Sequence, residues 1–195
     1  MRRTLVINLD RCSGCDSCVA ACKYENGLPL GEYFNRVLSI GPTGTFPDVE
    51  RYWLPVQCQQ CENPQCILVC PTGASYRDEN TGVVLVDRGK CIGCQYCIMA
   101  CPYGVRDFNE EAGVAQKCTL CSQLTADGSD DPVCVHNCCA GARFFGDLDD
   151  PESAASKELA KYSEECIHSL PDPKGVGPTT RYILSPSVAS WKELK

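Results

Sequence analysis

Histidine, methionine and tryptophan are scarce in this chain of 195 residues, with two of each. His136 and His168 are the only imidazoles available for proton transfer near neutral pH. No phosphate-cradling G-x-x-x-x-G-K-[ST] loop, dinucleotide-binding G-x-G-x-x-G turn or H-E-x-x-H zinc pair occurs. No run of about 18 apolar residues is present, so no membrane-spanning helix is expected. The longest charge-free stretch, 91–105, is broken by cysteines, glycines and a proline. Arg2 and Arg3 precede only Leu5, Val6 and Ile7 before Asn8 and Asp10. An export signal needs an apolar region of roughly 7–15 residues, so Thr4 to Leu9 is read as a first β-strand. Basic residues are outnumbered 18 to 25, a net charge of −7 that argues against a nucleic-acid partner.

Cysteine is abundant instead, with 18 in the chain. The cysteines fall into four groups. The first is CSGCDSCVAAC, with Cys12, Cys15, Cys18 and Cys22; the second is CQQCENPQCILVCP, with Cys58, Cys61, Cys66 and Cys70. The third is CIGCQYCIMACP, with Cys91, Cys94, Cys97 and Cys101; the fourth is stretched, with Cys118 and Cys121 separated from Cys134 and Cys138. Each is a trio followed, after three intervening residues, by a fourth cysteine. Cys139 and Cys166 are left over.

This spacing is that of iron–sulfur ligation. In C-x2-C-x2-C-x3-C-P the trio wraps one face of a cube, and the fourth thiolate ligates the other cluster of a pair. The trio is expected on a loop, with the fourth cysteine starting a short helix that points away from its own trio's cluster. Gly14 and Gly93 are expected where a missing Cβ lets backbone approach a sulfur. Pro71 and Pro102 fix φ just after a closing cysteine. Two other readings exist. Structural zinc uses separated C-x2-C pairs around one ion, which three cysteines within seven residues would crowd. A disulfide framework belongs to short secreted chains.

With these groups and their flanks, the chain resembles the four-cluster ferredoxin-type electron-transfer subunits of the dimethyl sulfoxide reductase superfamily. The match runs from Ile7 to about Ser153 and includes LDRCSGCDSCVAACKYEN, CPTGASY and FGDLDDPES. The resemblance implies an α+β fold of two nested bacterial-ferredoxin-like lobes with β-hairpin insertions. Residues 1–57 with 102–150 would form an outer lobe, 58–101 an inner lobe and 151–195 a C-terminal extension. It also implies four [4Fe–4S] clusters: the first on Cys12, Cys15, Cys18 and Cys138; the second on Cys118, Cys121, Cys134 and Cys22. The third would be on Cys58, Cys61, Cys66 and Cys101, and the last on Cys91, Cys94, Cys97 and Cys70. Some relatives replace a cysteine of the third group and carry a three-iron cluster; here Cys94 is present.

The implied partner is a large catalytic subunit with a molybdenum or tungsten bis-pterin cofactor, beside the outer lobe. A quinone-linked membrane subunit or soluble donor would face the inner lobe. The chain itself would be no enzyme. It would lie on the extracytoplasmic side of a membrane, co-exported with a twin-arginine partner, or in the cytoplasm. The other readings are a free-standing polyferredoxin, a conducting subunit of a hydrogenase or formate dehydrogenase, and a zinc-dependent interaction module.

The segments between the groups predict hairpins at Ala74 to Asp87, turning at Asn80-Thr81-Gly82, and at RVLSI and RYWLPV around a GPTGTFPD loop. A helix is expected in PESAASKELAKYS with Pro151 near its first turn, and a last strand at RYILS, with the remaining tail over a surface. His136 is read as a loop residue rather than a cluster partner, and GSDDP, 128–132, as a solvated insertion. Cys139 occupies the position that Pro71 and Pro102 take in two other groups, and is expected as a buried, non-ligand thiol, with replacement ligation of the Cys12 cluster as the alternative. Cys166 is expected to be a bystander.

Overall fold

The computed structural model describes residues 1–128 and 130–192. In chain order its elements are β1 (Arg3–Asn8), α1 (Ser17–Glu25), β2 (Asn35–Thr45), β3 (Asp48–Gln57), α2 (Gln65–Leu68), β4 (Ser75–Arg77), β5 (Val84–Val86) and α3 (Tyr96–Ala100). They continue with β6 (Arg106–Asn109), β7 (Val114–Lys117), α4 (Ser122–Thr125), α5 (Val133–His136), β8 (Arg143–Asp147), α6 (Ala154–Leu159), β9 (Ile167–His168) and β10 (Arg181–Ile183). The mixture of short helices and strands is α+β, as expected.

Strand β1 organises the molecule. Its Leu-Val-Ile run suits a strand covered on both faces, and it lies between β8, antiparallel to it, and β10, parallel to it. Leu5 and Ile7 point into the main core, which also holds Cys18, Cys22, Cys58, Cys118 and Cys134. Val6 points the other way, onto Ala155 of α6 and Ile183 of β10. Strand β9 completes this four-stranded sheet on the far side of β10.

The remaining strands form three two-stranded hairpins, β2–β3, β4–β5 and β6–β7. The β4–β5 hairpin lies where the sequence predicts it. In β2–β3 the expected loop is mostly strand: pairing slips once, between Ile40 and Thr43, and resumes to Thr45 opposite Asp48. Gly41, at φ +97°, takes up the irregularity that the loop reading assigned to the whole segment. The third hairpin was not anticipated, because RDFN and VAQK are short and polar.

Helix α6 is capped by Ser153, whose Oγ accepts the Ser156 N–H at 3.2 Å. Pro151 therefore precedes the cap instead of sitting in the first turn. The C-terminal segment does more than cover a surface. Ala189 is buried, and Trp191 stacks on His168 with centroids 4.7 Å apart and faces Tyr52 at 6.2 Å.

Candidate metal centres

The four cysteine groups share one local backbone form. The third residue of each leading C-x-x-C has positive φ: Gly14 (+67°), Gln60 (+48°), Gly93 (+71°) and Leu120 (+54°). Such a left-handed residue curls the loop, so that successive amides turn toward one concave side. Protein atoms alone already exclude a side chain at both glycines. A Cβ on Gly14 would lie 2.2 Å from the Trp53 ring, and one on Gly93 would lie 2.6 Å from the Gly113 carbonyl oxygen.

The helices also differ in placement from the sequence reading. Cys18, Cys66, Cys97 and Cys134, the last members of each trio, lie inside α1, α2, α3 and α5. Except in the longer α1, the fourth cysteine lies just past the helix end, so these helices lead to that residue instead of starting from it. Four residues of helix rise about 6 Å. One turn therefore carries the chain from one cysteine site to the next.

The consequence is visible in three cavities. Cys12, Cys15, Cys18 and Cys138 line the first. Cys22, Cys118, Cys121 and Cys134 line the second. Cys58, Cys61, Cys66 and Cys101 line the third. Each combines three cysteines of one group with the fourth of another. Of the remaining set, Cys97 is buried, Cys70 and Cys91 are half-buried and Cys94 is exposed; α2 and α3, which bring this set and the third together, are in contact. Among the described residues, no three of Cys, His, Asp or Glu converge as a single metal ion requires. The thiols surround volumes instead, which suits a polynuclear group and not one zinc ion.

The cavity walls fit such a group. Six buried side-chain atoms lack a hydrogen-bond partner among the described residues: Asn35 Nδ2, Gln57 Nε2, Gln59 Oε1, Tyr103 Oη, Arg106 Nη2 and Arg143 Nε. All six residues line one of the three cavities. Five of the atoms are donors, and buried donors without partners are costly. The sulfurs of an iron–sulfur cluster are acceptors that would satisfy them. Backbone amides already donate to thiols, Ala142 to Cys138 Sγ at 3.2 Å and Ser75 to Cys70 Sγ at 3.4 Å.

Burial is the main influence on these thiols. It pushes Cys22 and Cys61 up to about 12 and Cys121 to about 11, and the neighbouring cysteines push Cys22 and Cys61 further the same way. The thiolates that ligation requires would thus be stabilised by bound iron, which couples metal binding to folding.

Cys139 is exposed, not buried as expected. Its Sγ lies 3.3 Å from Cys15 Sγ at the rim of the first cavity. Cys15 is drawn down to about 7, chiefly by the Ser17 hydroxyl, 3.5 Å away. The turn after Cys138 directs Cys139 outward, because Cys138 already fills the inward position. Cys166 is buried in a turn beside β9, with Ser163 Oγ 3.6 Å from its sulfur. His136 is exposed and pairs with Asp130; of the GSDDP stretch, Ser129 lies outside the described residues. The sequence reading missed the buried Arg106, Lys117 and Arg143. A signal existed for two of them: Arg106 and Arg143 each stand five residues after a closing cysteine, in CPYGVR and CCAGAR.

Comparison with known proteins agrees with this geometry. Residues 49–148 match the family described as 4Fe-4S dicluster domain. The chain is 43% identical to a dimethyl sulfoxide reductase iron-sulfur subunit of Halobacterium salinarum, across 98% of this chain and 83% of that protein. It is 45% identical to a sulfite dehydrogenase subunit of Allochromatium vinosum, across 92% of this chain and 81% of that one. It is also 45% identical to the thiosulfate reductase electron transfer subunit of Salmonella typhi, across 73% and 74%. Spacing, cavities and relatives point the same way, and the chain belongs to the family of [4Fe–4S] ferredoxin-type electron-transfer subunits of the dimethyl sulfoxide reductase superfamily.

Proposed function

We propose that the chain relays electrons between a catalytic subunit holding a molybdenum or tungsten bis-pterin cofactor and a quinone-linked membrane subunit or soluble redox partner. The observation that carries this reading is the set of cavities in which cysteines from different groups meet beside unpartnered buried donors. Four cubane clusters supply one-electron transfer when bound. Cys12, Cys15, Cys18 and Cys138 would hold the first, and Cys118, Cys121, Cys134 and Cys22 the second. Cys58, Cys61, Cys66 and Cys101 would hold the third, and Cys91, Cys94, Cys97 and Cys70 the fourth. Cys139 and Cys166 would ligate none.

In this reading residues 1–57 with 102–150 form an outer lobe beside the catalytic subunit. Residues 58–101 form the inner lobe, and 151–195 an extension. The protein's own residues position sulfur, exclude water and hold fixed charge; the substrate reacts in the partner. No helix among the described residues is long and apolar enough to cross a membrane. Location would be either the extracytoplasmic side of a membrane, by co-export with a twin-arginine partner, or the cytoplasm.

Two measurements test the reading. The purified protein should contain about sixteen iron atoms and as many labile sulfides per chain. Affinity purification from the native host, in each cell fraction, should recover a large subunit containing molybdenum or tungsten. Recovery of the fully loaded chain alone would favour a free-standing carrier.

A further inference from the structure

Three buried cations stand at the junctions between consecutive cysteine sites. Arg143, on β8, lines both the Cys12 cavity and the Cys22 cavity. It donates to Gln57 Oε1 at 3.0 Å and Asn35 Oδ1 at 3.3 Å, while its Nε has no partner among the described residues. Lys117, on β7, donates from Nζ to the carbonyls of Val84 and Cys118. Val84 lines the Cys58 cavity and Cys118 the Cys22 cavity. Arg106, on β6, lines the Cys58 cavity and donates to Ser75 Oγ at 3.2 Å. The backbone N–H of Ser75 donates to Cys70 Sγ of the fourth set.

All three side chains belong to residues no more than 4% exposed. Among the described residues, none of them forms an ion pair with a carboxylate. Burying even one unpaired cation costs several kcal/mol in general, so such groups are normally neutralised or paired. The hydrogen bonds they make do not explain the charge, because a neutral amide can donate to the same carbonyls and amide oxygens. Arg106 and Arg143 also occupy the same place in the repeat, five residues after Cys101 and Cys138.

We propose that Arg143, Lys117 and Arg106 are fixed counter-charges, each shared by two consecutive iron–sulfur sites, and that they hold the reduction potentials of both neighbours up. The proposal rests on the ligand sets given above. Reduction adds one negative charge to a site, and a cation fixed nearby in a water-poor interior stabilises that reduced form. A shared cation acts on two sites at once and raises both potentials together. The residues are positioning and tuning groups, not catalytic ones.

The test uses the assembled protein with its partner subunits, in three neutral variants: Arg143→Gln, Lys117→Gln and Arg106→Gln. Iron and labile sulfide are counted first, and the potentials are then read by redox titration followed by electron paramagnetic resonance. Each variant that keeps all four clusters should show two potentials shifted negative and two unmoved. The affected pairs of Arg143→Gln and Lys117→Gln should have one member in common. Arg143→Lys should return toward wild-type values. Four unmoved potentials, or an equal shift of all four, would overturn the proposal. If every neutral variant loses clusters, Arg143→Lys, Lys117→Arg and Arg106→Lys decide. Retention of four clusters near wild-type potentials supports a need for charge, and their loss indicates a steric role that overturns it. A wild-type protein with fewer than four clusters would instead fault the ligand sets, a separate result.

Discussion

Cys138 and Cys139 are adjacent, yet one faces the cavity of Cys12, Cys15 and Cys18 while the other lies exposed beside Cys15. Cys138→Ala should therefore lose or convert one cluster, and Cys139→Ala should keep about sixteen iron atoms per chain, both read by iron analysis and spectra of the reduced protein. Gly14 makes a second residue-scale case. With φ at +67° and the Trp53 ring directly over it, an added methyl must displace an indole. Gly14→Ala should cost about 2–4 kcal/mol, combining backbone strain with overpacking, and lower the denaturant midpoint of the loaded protein. At this scale the ligand types and the two glycines were legible in the repeat. Gln60 and Leu120 adopt the same left-handed backbone without glycine. Nothing in those residue types announces it, because the surrounding loop imposes it.

Helix α6 shows how one element ties distant chain together. Glu158 on it is buried, accepts from Asn8 Nδ2 on β1 at 3.2 Å, and pairs with Lys161 at 2.6 Å and Arg11 at 3.5 Å. Burial alone would raise this carboxyl; the bonds from Lys161 and Asn8 and the charge of Arg11 outweigh it, leaving it below its ordinary 4.5. A carboxylate depressed on folding contributes stability above the unfolded value and loses it as pH falls through the native one. Glu158→Gln should therefore flatten the stability loss below about pH 4.5, as followed by thermal melts across pH. At the N-terminus of the same helix, Ser153→Ala should cost about 1 kcal/mol by freeing the Ser156 N–H, measurable by chemical denaturation. The β4–β5 hairpin and β1 were legible because alternation or an apolar run marked them. β6, β7 and β9 were not, since two to four polar or mixed residues become strand only when a partner offers its hydrogen bonds.

Across the whole molecule, the main core is built partly from cysteines, with Cys18, Cys22, Cys58, Cys118 and Cys134 packed among Leu5, Leu54, Leu120 and Tyr182. Removing the iron leaves these cavities lined by neutral thiols and unpartnered donors. Anaerobic chelation should consequently abolish the cooperative melt and most of the β-sheet circular dichroism, and reconstitution with iron and sulfide should restore both. A cluster-free protein that melts like the loaded one would show that the packed strands suffice.

The sequence by itself determined the chemistry: four cysteine groups, the clusters their spacing suits, the electron-carrier class and the absence of a catalytic constellation. These are local properties, written in covalent spacing over a dozen residues. Tertiary structure alone decided that Cys139 points outward, that β1 pairs with a strand from the far end of the chain, and that Arg106, Lys117 and Arg143 lie buried between the sites. Burial and long-range pairing arise from contacts between segments far apart in the chain, and an isolated sequence repeat does not specify those contacts.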